Sequence, residues 1–263
     1  NVSIFLWNST IGDWNPQITR SIGTISSSIP TSVFIGDANN DGYNDIVSST
    51  ENGHNVSILT WNSTIGDWNP QVTRPVGLGP ISVFVGDANN DGYNDIATAN
   101  RIDDSVSIIL WNSTIDDWDP QIKKSIGDWP YCVFINDVNN DNYNDVVISN
   151  FQHDNVSIFL WNSTIGDWNP EITRSVGNGP SSIFIGDANN DGKNDIVATN
   201  FLDDGVSILL WNISSGDWDT PITRSVGWGP ISVFVGDANN DGYYDIVTAN
   251  EHDETVSILL WMY

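Results

Sequence analysis

The sequence holds a single cysteine, Cys132, in its 263 residues, so no disulfide forms within it. "YCVF" stands where other copies have "SVF" or "SIF", and a small buried thiol is the expected reading. Basic residues are almost as scarce, with 8 Lys and Arg against 34 Asp and Glu and a formal charge of -26. Nucleic acids and anionic membranes are met by basic patches, so neither is an expected partner. No apolar run approaches a membrane span, and no charged-then-apolar leader opens the sequence; membrane insertion of this chain is not expected. Helical periodicity is missing as well. His54, His153 and His252 share no metal-ligand spacing and are expected at the surface. An enzyme needs an asymmetric constellation such as a nucleophile beside its base, and none stands apart, so the chain is expected not to be an enzyme.

What remains is apolar and repetitive. Hydrophobic residues make up 39% of the chain and there are 13 Trp, enough for a packed core and too many for a disordered acidic chain. "GDANNDGYNDIV" at 36–47 returns with small changes at 86–97, 136–147, 186–197 and 236–247, a period of 50 residues. "VSILLW" and its variants end at Trp61, Trp111, Trp161, Trp211 and Trp261 on the same period. A sixth copy ends at Trp7, displaced by four residues inserted near "TISSSIP".

Each unit reads as four short strands. In the second these are 82–86, 95–99, 106–111 and 121–127, the third apolar enough to be buried on both faces and the last charged as an outer edge should be. Asn-Asp-Gly, "NSTIGDWNP" and Gly-x-Gly-Pro supply the turns between them. Four antiparallel strands repeated at this length describe the blade of a β-propeller, whose blades must stack to hide their apolar faces. The expectation is an all-β propeller, 1–263 as one domain of five units, with a segment of a larger six- or seven-bladed propeller as the alternative. Ring closure would give the last blade its outer strand from 17–23, leaving two copies of "VSIxLW" competing for one slot.

The acidic loop follows D-x-N-x-D-G-x-x-D. Side-chain oxygens at positions 1, 3, 5 and 9 and a backbone carbonyl at 7 make an oxygen-only donor set, which selects a hard cation and favours Ca²⁺ over Mg²⁺. The expected ligands are Asp37, Asn39, Asp41, Tyr43 and Asp45, then Asp87, Asn89, Asp91, Tyr93 and Asp95, then Asp137, Asn139, Asp141, Tyr143 and Asp145. The fourth loop offers Asp187, Asn189, Asp191, Lys193 and Asp195, and the fifth Asp237, Asn239, Asp241, Tyr243 and Asp245. About five structural Ca²⁺ ions are therefore expected. Gly42 allows a positive-φ turn, and Asn142 tolerates that conformation in the third loop. An EF-hand is excluded, because position 12 is Ser48, Thr98, Ile148, Ala198 or Thr248 instead of Glu, and the flanks are strand-forming.

On these residues, and on "SVFVGDANNDGYNDIVTAN…TVSILLW" as its register would run over 232–261, the chain is similar to the FG-GAP or VCBS repeat found in integrin α subunits and many secreted microbial proteins. The resemblance implies a propeller with Ca²⁺ in the hairpin between the first two strands of each blade. Trp14, Trp68, Trp118, Trp168 and Trp218 depart from it mildly, standing where Phe is more frequent.

Variation between near-identical units gathers in the loops after the second and fourth strands, which share the face opposite the acidic loops. Drift in exposed loops is one reading; a recognition face with Arg101, Trp129, Phe151 and Trp228 as contacts is the other. The repeated Trp residues are read as packing, with sugar-stacking clefts as the alternative. Sequons at Asn8, Asn62, Asn112, Asn162 and Asn212, among others, point to an extracellular or cell-surface protein glycosylated if the host permits. The expected function is an adhesion or ligand-binding module for protein or glycan, or else a surface subunit that assembles with copies of itself by exchanging the surplus strand, with a propeller enzyme as the remaining alternative.

Overall fold

A computed structural model describes residues 1–23 and 28–261. Part of the variable segment 24–30 lies outside the described residues. Four consecutive units each form one four-stranded antiparallel sheet. In the second, Pro80–Gly86, Asp95–Asn100, Ser105–Ile109 and Ile122–Ser125 are hydrogen-bonded in chain order. The fifth unit is a three-stranded sheet of Pro230–Gly236, Asp245–Asn250 and Thr255–Leu259, and the N-terminus is a hairpin of Val2–Ile4 and Ile18–Arg20. Apart from a 3-10 turn at Glu51–Gly53, the described structure contains no helix, and none long and apolar enough to cross a membrane.

The registers explain the composition. In the inner strand Val83 and Val85 are buried while Phe84 points to the other side, the period-2 alternation of a strand. Every residue of Asp95–Asn100 and Ser105–Ile109 is buried, because both faces of these middle strands meet neighbouring blades. The outer strand Ile122–Ser125 is largely exposed and carries Lys123 and Lys124, which blunts a free sheet edge. The core lies between blades: Val47, Val56 and Ile58 of the first blade pack with Val83, Val85 and Ile109 of the second, and three further clusters repeat this along the array. Phe34, Phe84, Phe134, Phe184 and Phe234 form a column along the inner strands, with ring centroids 4.6–5.4 Å apart.

Two expectations are corrected. The outer strand at 17–23 does not complete the last blade: Ile18–Arg20 pairs with Val2–Ile4, and among the described residues no ladder joins the two ends of the array. A short local hairpin costs less loop entropy than joining distant ends. The third strand also stops before Trp111. The Trp111 N–H leaves the ladder to donate to Asp95 Oδ1 at 2.8 Å, and Trp111–Asn112 pairs instead with Asp117–Trp118 in a small hairpin. Its two indoles meet edge to face at 4.8 Å, and the same pair recurs in each "NSTIGDW" segment.

Trp118, Trp168 and Trp218 are buried in these hairpins, in line with packing and against open sugar clefts. Each lies under a cation of the preceding unit: Arg74 over Trp118 at 5.4 Å, Lys124 over Trp168 at 5.2 Å and Arg174 over Trp218 at 5.7 Å. The same cations pair with Asp117, Asp167 and Asp217, and Arg20 pairs with Asp67. The Arg20 hydrogen bond holds the Asp67 carboxyl below the usual carboxylate range.

The sequon asparagines serve these hairpins too. Asn62 Nδ2 donates to Asn69 Oδ1 at 2.9 Å, and its Oδ1 accepts from the Thr64 N–H at 3.0 Å; Asn8, Asn112, Asn162 and Asn212 repeat both bonds. Their recurrence therefore has a structural cause independent of modification.

Candidate functional site

The acidic loops and the "NSTIGDW" hairpins lie at one rim of the array, and the loops after the second and fourth strands lie at the other. At the first rim each loop is knit by its own carboxylates. Asp37 accepts from the N–H groups of Asp41 (3.0 Å) and Gly42 (2.9 Å), and Asp41 from that of Tyr43 (2.9 Å). Gly42 has φ 89° and Asn142 φ 70°, as expected of position 6. Position 4 is left-handed as well, with Asn40 at φ 59° and its four counterparts at 58–62°, which sequence reasoning missed although Asn there was the available signal.

The carboxylate at position 9 is the deepest. Asp95 is fully buried and bridges two elements, accepting from Ala88 N–H at 2.9 Å in its own loop and from Trp111 N–H at 2.8 Å where the third strand ends. Asp45, Asp145, Asp195 and Asp245 do the same. No cationic side chain pairs with any of these five carboxylates among the described residues. Burial pushes Asp95 and Asp145 up to about 7, and Asp45 and Asp195 to about 6. Among the described residues the three carboxylates of a loop do not converge on one point; Asp37 and Asp41 turn to backbone N–H groups. The donors are nevertheless those of a hard-cation site: oxygen only, three carboxylates, and one of them buried without a counter-charge.

Neighbouring loops interlock. Asn90 Nδ2 donates to Asn144 O at 3.0 Å, Asn144 N–H to Asn90 Oδ1 at 2.6 Å, and Asn144 Nδ2 to Asp87 O at 2.9 Å. Asn40 with Asn94, Asn140 with Asn194 and Asn190 with Tyr244 repeat the clasp. Positions 4 and 8 of the loop, silent in a metal reading, thus bind blade to blade.

At the opposite rim the predicted contacts come together. The Arg101 guanidinium lies 5.6 Å from the Trp129 ring, and Trp129 lies 6.5 Å from Phe151. Phe151 continues to Phe201 (6.0 Å), Phe201 to His252 (5.2 Å) and His252 to Trp228 (4.7 Å). Tyr131 joins Phe151 at 5.5 Å. Among the described residues Trp228 is therefore linked to the other three predicted residues through Phe201 and His252, neither of which the sequence pattern singled out as a contact. Phe201 occupies the same repeat position as Phe151, which was the usable signal; His252 is exposed, as expected of a surface histidine, but is also part of the track. Glu51 anchors Arg101 in an ion pair.

Trp129 is the exceptional residue of this track. Its φ is 54°, and the corresponding positions are Ile29 in the first unit and Gly79, Gly179 and Gly229 in the others, each of these glycines at φ 68°. A bulky side chain held in the left-handed conformation that three of the other units give to glycine costs on the order of 1 kcal/mol or more. Trp129 and Trp228 nonetheless remain 43% and 57% exposed, so burial does not offset that strain.

Comparison with known proteins matches the FG-GAP-like repeat family over residues 37–98, 137–198 and 187–248. A search of curated proteins finds no match. Among solved structures, a protein of Bacteroides uniformis ATCC 8492 assigned as a 6-phosphogluconolactonase superposes with a TM-score of 0.69 at 14% identity, covering 97% of this chain and 72% of that one. The periplasmic gluconolactonase of Pseudomonas aeruginosa gives 0.64 at 12% identity, covering 98% and 66%. BBS1N in complex with ARL6DN gives 0.60 at 12%, covering 97% and 70%. At these identities the likeness is one of fold. It corrects the expectation that the chain is not an enzyme: propellers of this architecture include lactonases, so a repeated, symmetric blade does not argue against catalysis.

Proposed function

Because this chain belongs to the FG-GAP-like repeat family, we propose that it is an extracellular, calcium-stabilised propeller that binds an extended protein or glycan ligand along the aromatic track of its variable rim. The observation that carries this reading is Trp129, held at positive φ where three of the other four units have glycine and still exposed. Backbone strain retained beside an exposed aromatic stack is a functional signature more than a packing one. The track crosses from Arg101 in the second unit to Trp228 and His252 at the fifth, long enough for several sugar rings or a peptide strand to lie across it.

The opposite rim supplies rigidity. Ca²⁺ at each loop would take side-chain oxygens of Asp37, Asn39, Asp41 and Asp45 and their counterparts, supplying positive charge beside a carboxylate that is otherwise buried unpaired. The residues then fix the hairpin, and Asp95 and its equivalents transmit that order to the end of the third strand through the Trp111 N–H. Oxygen-rich loops of this kind suit calcium-rich extracellular surroundings.

Screening the purified chain with Ca²⁺ on a glycan array, and against cell-surface protein extracts by pull-down, tests the reading. Expected is a set of ligands whose capture falls at least about tenfold in the double variant Trp129→Gly, Trp228→Ala. Ligands retained undiminished by that variant would show that the track is not the recognition surface.

A further inference from the structure

The rings of the variable rim are evenly pitched. Trp129 stands 6.5 Å from Phe151, and Phe151 stands 6.0 Å from Phe201. An extended chain rises about 3.3 Å per residue and turns alternate side chains to one face, so same-face residues recur about every 6.6 Å. A peptide strand laid along the track would therefore bring one side chain to each ring.

Carboxylates keep the same step. Asp104, Asp154 and Asp204 share one repeat position, in the turns that begin with Arg101, Phe151 and Phe201. Oδ1 of each accepts a backbone N–H from the loop leading into the next unit: Trp129 at 3.0 Å, Gly179 at 2.9 Å and Gly229 at 3.0 Å. That bond fixes each side chain at a blade boundary. All three are half-buried, and none pairs with a cation among the described residues. The cations nearby are already engaged, Arg101 with Glu51 and Lys123 with Asp103. Segments 101–105, 151–155 and 201–205 hold five Asp against one Arg, so the track runs beside a surplus of negative charge. An anionic ligand is repelled there, and a neutral glycan would engage the rings without using that charge.

We infer that the track binds an extended basic peptide with Lys or Arg at alternate positions. Their aliphatic stems lie along successive rings, and their charged heads reach Asp104, Asp154 and Asp204. This rests on the track being the recognition surface, and narrows its ligand to one chemical class. The chain already makes one such contact for itself: the Arg101 guanidinium lies 5.6 Å from the Trp129 ring while paired with Glu51. Phe151 and Phe201 occupy the repeat position of Arg101, so along the following units the rings and carboxylates remain but the cation is missing. The peptide supplies it.

The probe is a labelled peptide of six Lys-Thr repeats, titrated by fluorescence anisotropy with the intact Ca²⁺-loaded chain in about 0.15 M salt to screen distant charge. Its isomer of three Lys-Lys-Thr-Thr repeats has the same composition and charge but sets same-face lysines about 13 Å apart. Saturable binding of the alternating peptide is expected, at least about fivefold tighter than that of the isomer. Trp129→Gly with Trp228→Ala should weaken it at least about tenfold, and so should Asp154→Asn with Asp204→Asn, whose amide oxygens still accept the neighbouring N–H groups. Asp116→Gly with Asp119→Asn copies Gly66 and Asn69 of the preceding unit and removes the same charge from the opposite rim; it should change binding less than about twofold. No binding, equal binding of the two isomers, or equal losses at the two rims overturns the inference, the last two marking general attraction to an acidic chain. Capture of a neutral glycan that depends on the two Trp, with no binding of the peptide, also overturns it and leaves the track as the recognition surface. Peptide binding indifferent to the two Trp changes removes the inference and the track together.

Discussion

At one rim of the array Asp, Asn, Asp and Asp recur at the same places with the same hydrogen bonds in unit after unit; at the other, equivalent positions hold Leu78, Asp128, Asn178 or Trp228. The constant rim contains buried carboxylates, left-handed asparagines and clasps between neighbouring loops, so a substitution there breaks contacts made by two blades. The variable rim contains exposed rings stacked on one another, with a strained Trp129 among them. Sameness here follows from a shared structural burden. Difference is tolerated only where that burden is absent, and the aromatics have gathered there.

The comparison is broken most severely by removing the cation. Chelation with EDTA should lower the thermal midpoint by about 10 °C or more, with Ca²⁺ restoring it and equimolar Mg²⁺ failing to. An EDTA-insensitive midpoint would leave the constant rim without its proposed role. The pH dependence should also reverse in sign. Unfolded aspartates ionise near pH 4, whereas in the metal-free fold Asp45 and Asp195 keep their protons to about 6, and Asp95 and Asp145 to about 7. Between those values the folded state binds more protons, so metal-free stability is greatest at the acidic end and falls as pH rises from about 4 to 7. The Ca²⁺-loaded protein should instead lose stability on acidification, because the ion needs ionised carboxylates. Urea titrations at several pH values, with and without EDTA, read both curves.

A smaller cut isolates the clasp from the metal. Asn90→Gly keeps the φ of 58° accessible but removes two hydrogen bonds across the blade boundary, and should cost about 1–2 kcal/mol in urea unfolding. The same change at Asn240, which has no clasp partner among the described residues, should cost less than about 0.5 kcal/mol. Equal losses at both sites would mean that the contribution of these asparagines lies within their own loops.

Much of the constant rim was legible because a 50-residue period aligns every copy and oxygen donors have one obvious partner class. Strand order followed from turn chemistry and from the apolar middle strands. The early end of the third strand was not legible: "VSIILW" is uniformly apolar, and only the fold brings the Trp111 N–H to Asp95, sixteen residues away. Ring closure was misjudged for a related reason. Six copies of one strand cannot reveal which neighbour each will choose, and the N-terminal copy chose the nearest. On the variable rim Arg101, Trp129 and Phe151 stood out as departures from the repeat, but Phe201 and His252 enter the track through distances between blades that no single unit encodes.

The smallest expected stability change is the most discriminating, and it concerns Trp129. Removing a large core side chain ordinarily costs about 3–5 kcal/mol. Trp129→Gly should fall within about 0.5 kcal/mol of the parent chain, because two opposed effects nearly cancel. Relief of the left-handed backbone returns on the order of 1 kcal/mol, the sense in which Gly79, Gly179 and Gly229 already serve their units. The lost stacking on Arg101 and Phe151 takes back about the same, since those contacts are half-exposed. Ligand capture should meanwhile fall, so that stability and binding separate at one residue. If instead the variant unfolds about 2 kcal/mol more easily, Trp129 is a packing residue. The variable rim would then differ from the constant one only in how it holds the blades together.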